Sequence, residues 1–172
     1  ELMKLMSKDG IVLDLRNNSG GLFKNAVEIA DMFLTTGEIV STVTKSNKRR
    51  DFAHPAQITK SNIVILVNER TASASEILAS ALKENKRAII IGRKTYGKGL
   101  VQEVVELPDK SGLHVTIAAY LTPSGKCINK IGIIPDILVN NEDDQLNKAK
   151  EILQDLEEQK PKIALISKFP LY

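Results

Sequence analysis

Asn62-Ile63-Val64-Ile65-Leu66-Val67, followed at once by Asn68-Glu69-Arg70-Thr71-Ala72-Ser73-Ala74-Ser75-Glu76-Ile77-Leu78, is the stretch that decides the fold. The apolar run of 62–67 is too short for a helix and reads as a buried strand. A brief polar turn follows. From about Ser73 to Glu84, Ile77, Leu78, Ala81 and Leu82 recur at helical spacing and predict a helix with one apolar face. A buried strand feeding a helix through a short turn is a βα unit, the building block of a largely parallel sheet.

The same pattern extends in both directions. Upstream, Ile11-Val12-Leu13-Asp14-Leu15 reads as a strand, 16–21 as a turn, and 24–34 as a helix that stops before Gly37. Downstream, Ala88-Ile89-Ile90-Ile91 is a third buried strand, and a second glycine-rich loop runs from Gly92 to Gly99. Outside these units, 38–45 is β-branched and predicts a strand, while 46–61 is polar, contains Pro55 and reads as a hairpin plus loop. Residues 100–106 and 113–120 alternate as antiparallel strands around Pro108–Gly112, and 141–160 is a charged helix. The residues before Gly10 read as a helix end, and the last dozen as a tail that packs or frays. The expected fold is therefore α/β, with βα units, a largely parallel central sheet and an additional antiparallel hairpin. Residues 1–140 form its core, and 141–172 a C-terminal helix and tail packing on that core.

The chain has 172 residues, 42% hydrophobic and 26% charged, an ordinary balance for one globular domain. A net charge of +3, from 24 basic and 21 acidic residues, argues against a nucleic-acid partner. Lys45, Lys48, Arg49 and Arg50 lie between two apolar runs and read as a solvated hairpin tip, not a phosphate patch. Cys127 stands alone, so no intrachain disulfide is possible, and without an adjacent base it reads as structural. No apolar run approaches the roughly 20 residues of a membrane span, and no signal peptide is visible. The chain opens at Glu1 without an initiator methionine, which reads as a piece of a longer protein.

Chemistry concentrates at the two glycine-bearing loops and the strand-to-helix turn. Gly20-Gly21 brings backbone N–H groups close to a ligand with no Cβ in the way, as an oxyanion hole needs; a tight strand-to-helix turn explains the pair equally. Ser73 stands at the start of a helix, where unpaired amides carry partial positive charge. The Ala74 amide is placed to stabilise an oxyanion formed by attack of that serine. Ser73-Ala74-Ser75-Glu76 is also a capping box, and Ser75 is a competing nucleophile. The base is open as well. His54 precedes a proline in a polar loop, and His114 lies in an alternating strand. Lys98 sits between Gly97 and Gly99; packed against apolar groups, such a lysine loses solvation and accepts a proton near neutrality, whereas in solvent it is a loop residue. The glycine-flanked lysine lacks P-loop spacing, and no cluster has metal-ligand spacing.

Five ordered blocks together resemble the C-terminal processing peptidases, also called tail-specific proteases. Thr71–Ile77 is similar to their nucleophile segment and Gly92–Gln102 to their lysine segment. Asp14–Gly21 is similar to their oxyanion segment, with Ser19 where a proline is usual. Tyr120–Gly125 and Gly132–Asp136 match two downstream blocks. The resemblance covers roughly four-fifths of the chain, about residues 10–138.

It implies a crotonase- and Clp-like protease core with a Ser–Lys pair 25 positions apart, and 98 − 73 = 25 selects Ser73 over Ser75. Gln102, at 98 + 4, is then the residue that orients Lys98, and the oxyanion donors are Ala74 with Gly20 or Gly21. Glu84, eleven positions beyond Ser73, matches an acid found in some members, though a helix-end carboxylate explains it equally. The resemblance further implies acyl-enzyme hydrolysis of an extended peptide near a protein C-terminus, without metal or organic cofactor. It also implies export to a periplasm, cell envelope or plastid lumen. Members usually carry a PDZ domain before the core, and no PDZ-like stretch is read here. Two other functions fit the motifs: a non-catalytic peptide-binding relative, and a crotonase-type acyl-CoA enzyme.

Overall fold

The structure, a computed structural model, describes residues 10–55 and 57–159. The helix end expected before Gly10 and the whole of the expected tail lie outside the described residues.

A parallel sheet of order β1-β4-β5-β8 is the backbone of the molecule. Its strands are β1 (Ile11–Asp14), β4 (Ile63–Val67), β5 (Ala88–Gly92) and β8 (Ile137–Leu138). Every residue of β4 is buried because helices cover both faces. Alternation along the strand sends Ile63, Ile65 and Val67 toward α1 (Phe23–Phe33) and α2 (Ala74–Glu84). Val64 and Leu66 point the other way, onto Ala149, Ile152 and Leu153 of α3 (Glu142–Glu158).

Helix α2 is buried along nearly its whole length, and Ala74, Ala79 and Ala81 let its neighbours approach closely. Placing Leu82 (fully buried) in the core contributes on the order of 2 kcal/mol relative to exposure. Helix α3 starts at an Asn141 cap whose side chain accepts from the Asp143 N–H, with acidic residues in its first turn.

The expected extra hairpin is part of something larger. A second, antiparallel sheet has the order β3-β2-β7-β6, from β2 (Glu38–Val43), β3 (Lys48–Phe52), β6 (Leu100–Glu106) and β7 (Gly112–Leu121). Ser41, Thr42 and Val43 of β2 pair with Leu121, Tyr120 and Ala119 of β7, which joins the two hairpins. Periodicity reports single strands and not their partners, so this pairing was invisible beforehand. Lys48, Arg49 and Arg50 lie in β3, with Arg49 paired to Asp51 at 2.6 Å; of the basic cluster only Lys45 is in the turn. The two-residue β8 lacked any apolar run long enough to predict it. Cys127 is exposed and free, so it is not a core residue.

Candidate active site

Ser73 lies between the end of β4 and the start of α2. Its backbone has φ 56 and ψ −120, a sparsely populated conformation for a residue with a Cβ. Strain of this kind costs on the order of 1–3 kcal/mol and persists only where the surroundings impose it. Those surroundings are identifiable. Thr71 Oγ1 donates to Leu15 O at 2.7 Å, and the Ala72 N–H donates to Asn18 O at 3.0 Å, locking the turn to the loop after β1. The Glu76 carboxylate accepts from the Ser73 N–H at 2.9 Å within the expected capping box.

Glu76 does more than cap. Its side chain is fully buried, and it also accepts from Thr95 Oγ1 at 2.5 Å, from Gly97 N–H at 2.7 Å and from Lys98 N–H at 2.8 Å. Four donors match the lone-pair positions of a carboxylate. One buried acid thus grips the backbone of the serine turn and the backbone of the lysine loop. The loop reaches it because Gly97 lacks a side chain: a Cβ there would lie 2.8 Å from Gly132 N.

On the other side of the elbow sits the first glycine loop. Asn17, at φ 58, is held by Asn68, whose Oδ1 accepts from the Asn17 N–H at 3.0 Å. Gly20 has φ 103, and a Cβ on it would fall 2.8 Å from Ala72 O and 2.9 Å from Ala74 N. The loop therefore lies directly against Ser73. The Gly20 N–H is occupied, donating to Asn18 Oδ1 at 3.0 Å. Among the described residues, the amides of Gly21 and Ala74 have no acceptor. Between the two glycines, that leaves Gly21 as the free donor.

Two cavities flank the elbow. One, of about 720 Å³, is lined by Ser19, Ala72, Tyr96, Lys98, Gln102 and Asn129. The other, of about 620 Å³, is bordered by Gly21, Ala26, Ile29, Ala74, Ser75 and Leu78. Lys98 is exposed, without the apolar packing that would desolvate it, and its ammonium makes no hydrogen bond among the described residues. Gln102 opens toward the same cavity just after an irregularity in the β6–β7 register at Val101/Gln102. Ser75 is buried in the first turn of α2. His54 pairs with Asp31 (3.1 Å), and His114 is exposed on β7; neither bonds to Ser73. Glu84 accepts from the Ser124 N–H (2.7 Å) and hydroxyl (3.1 Å), bracing the turn at Pro123–Gly125.

Ion pairs surround the site. Burial alone would raise the Asp14 carboxyl, but hydrogen bonds from Arg16 outweigh it and hold the group below its ordinary range. The Arg93 guanidinium does the same for Glu69. Sequence reasoning missed the wider reach of Glu76, and with it Asn68 and Glu142. A lone acid in a run of small and apolar helix residues was the available signal for the first; the other two carried none.

The elements above define an α/β core with a serine at a strained strand-to-helix elbow, facing a lysine-bearing loop and a glycine loop with a free amide. The sequence model of peptidase family S41 matches residues 1–139, and the chain belongs to that family. A carboxyl-terminal-processing protease from Picosynechococcus sp. is 50% identical over 135 residues, 78% of this chain and 33% of the relative. A chloroplastic C-terminal processing peptidase from Tetradesmus obliquus is 47% identical over 77% of this chain and 29% of its own length. The chain spans about a third of the length of these curated relatives. The solved structure of a photosystem II D1 C-terminal processing protease aligns with a TM-score of 0.74 and 45% identity, over 85% of this chain and 39% of that one. Mature CPAF, at 17% identity and TM-score 0.68 over 91% of this chain and 44% of that one, shares the fold.

Proposed function

We propose that this chain is the catalytic core of a serine endopeptidase that cleaves proteins near their C-terminus. The observation that carries the reading is Glu76, whose buried carboxylate ties the Ser73 turn to the Lys98 loop. In this reading Lys98 takes the proton of Ser73, whose oxygen attacks the peptide carbonyl, and the amides of Ala74 and Gly21 receive the oxyanion. Each such amide is worth about 10²–10³ in rate, and a positioned base about 10²–10⁴. Gln102 steers the Lys98 ammonium from the neighbouring strand. Collapse of the adduct breaks the peptide C–N bond as Lys98 returns the proton to the leaving amine; water, giving a proton to Lys98, then releases the acyl group, and no step calls for a cofactor. A substrate chain lying in the cavity beside Lys98 excludes bulk water from the reacting groups. The partner is a protein or peptide with an exposed C-terminal tail. Export to a periplasm, cell envelope or plastid lumen accords with relatives from bacteria and chloroplasts. The described residues up to 140 act as the protease core, with helix α3 packing on it.

The test is cleavage of an unfolded model protein with an apolar C-terminal tail by the parent and by Ser73→Ala at equal folding. Cleavage by the parent alone supports the reading, and equal cleavage by both refutes it. Turnover of a thioester but no peptide would instead favour the acyl-CoA reading.

A further inference from the structure

Helix α3 begins at Glu142, whereas the S41 sequence model ends at residue 139. Its first residue nevertheless reaches the loops that carry the site. Glu142 Oε1 accepts from Asn68 Nδ2 at 2.9 Å and from the Arg93 guanidinium at 2.9 Å, and the Glu142 carbonyl accepts from the Arg16 guanidinium at 2.8 Å. These partners sit after β4, β5 and β1 respectively.

We infer that Glu142 is a positioning residue for the oxyanion loop, acting through Asn68 and making the full hydrolytic rate depend on the docked start of α3. Asn68 is fully buried, and all four hydrogen-bonding positions of its amide are filled. Its Oδ1 accepts from the N–H groups of Asn17 and Arg70 at 3.0 and 3.1 Å, and its Nδ2 donates to Asn17 Oδ1 at 3.1 Å and to Glu142. Taking the Glu142 carboxylate away leaves a buried donor unpaired. The available relief is rotation of the Asn68 side chain, which breaks the bonds that hold Asn17 at its positive φ. Asn18 follows in sequence and holds both the Ala72 and Gly20 amides, and Gly21 follows them. The effect arrives at the group that receives the oxyanion and reaches the cavity beside Lys98 only along its Ser19 and Arg70 wall, leaving Tyr96, Lys98, Gln102 and Asn129 in place. The loss therefore falls on kcat with little change in KM.

This inference rests on the peptidase reading for its kinetic arm only. The experiment compares the full-length parent with Glu142→Ala and Glu142→Gln; the backbone bond to Arg16 survives in both. A fluorophosphonate titrates reactive Ser73, and kcat for a tailed peptide is taken per titrated site, so that a smaller folded fraction does not imitate the effect. Amide exchange at Asn17 and Gly20 is read in parallel. Glu142→Ala lowers kcat per site about tenfold with KM within about twofold, and it speeds exchange at both amides. Glu142→Gln, which keeps an acceptor oxygen for Asn68, recovers most of the loss. Parental exchange in Glu142→Ala overturns the inference whether or not the enzyme cleaves, as does an unchanged kcat per site. A parent that neither labels nor cleaves, while exchange still responds to Glu142→Ala, overturns the peptidase reading and leaves the coupling in place.

Discussion

Replacing Glu76 with glutamine keeps the shape of the side chain and removes half of its acceptor capacity. Oε1 serves Thr95 Oγ1 and the Gly97 N–H; Oε2 serves the N–H groups of Ser73 and Lys98. A glutamine amide turned with its nitrogen toward Ser73 and Lys98 faces two backbone donors that cannot reverse. Turned the other way, it faces the Gly97 N–H and a Thr95 hydroxyl that can rotate to accept. The second orientation costs less and leaves one buried N–H opposed by an NH₂ group, about 1–3 kcal/mol. The remaining bonds lose their ionic character, which brings the expected loss to roughly 3 kcal/mol. A domain of ordinary stability, about 5–15 kcal/mol, stays folded at 25 °C. The loop must shift to relieve the Gly97 contact, and Lys98 moves with it, so kcat/KM falls by about 10- to 100-fold. Urea unfolding followed by circular dichroism gives the first quantity, and initial rates on a tailed peptide give the second. If Glu76→Gln loses under about 1 kcal/mol and keeps parental kcat/KM, the carboxylate does not hold the two loops together.

Lys98→Ala abolishes hydrolysis with an unchanged circular dichroism spectrum, and full activity in that variant rules out lysine as the base. Ser73→Gly is inactive yet as stable as the parent or more so by up to about 1 kcal/mol, because glycine adopts φ 56 without strain; a clear loss of urea stability would contradict the strain assigned here. Gly20→Ala loses about 2 kcal/mol or more, since its Cβ meets Ala72 O and Ala74 N at a positive φ, whereas Gly21→Ala, with nothing within 4 Å, keeps parental stability; thermal melts of the pair separate the two. The folded-state pKa of Asp14 is depressed, so its contribution to stability is complete above the unfolded carboxyl value of about 3.9 and fades as pH falls through the lower folded value. Asp14→Asn accordingly flattens the fall in stability below about pH 4, read from urea midpoints at stepped pH, and an unchanged acid slope removes Asp14 from the account.

Local pattern carried much of this molecule. The apolar runs at Ile11, Ile63 and Ala88 were legible as strands because short aliphatic stretches leave water for a core; β4 is wholly buried, whereas β1, at the sheet edge, is only half-buried and exposes Asp14. Glycine pairs, the serine at a helix start and the glycine-flanked lysine marked the loops, since residues that permit unusual backbone are recognisable by type. Pairing was another matter. That β2 joins β7, that β8 extends the parallel sheet, and that Lys48 to Arg50 lie in a strand depend on partners distant in the chain. Nothing in the local alternation of 38–45 or 48–52 names those partners.

The contrast is sharpest at single residues. Strand and helix periods and turn chemistry set the α/β class, because they are local properties, and the resemblance of five ordered blocks to one peptidase family nominated Ser73, Lys98, Gln102 and the glycine loop. Glu76 looked like a cap and Glu142 like an ordinary first-turn acid. Only the folded chain gives Glu76 three further donors, two of them from the lysine loop backbone, and only there does Asn68 meet Glu142 across 74 positions of sequence. A buried hydrogen bond is specified by where two groups come to rest in space, and that position is a property of the packed core, not of either residue's neighbours in the chain.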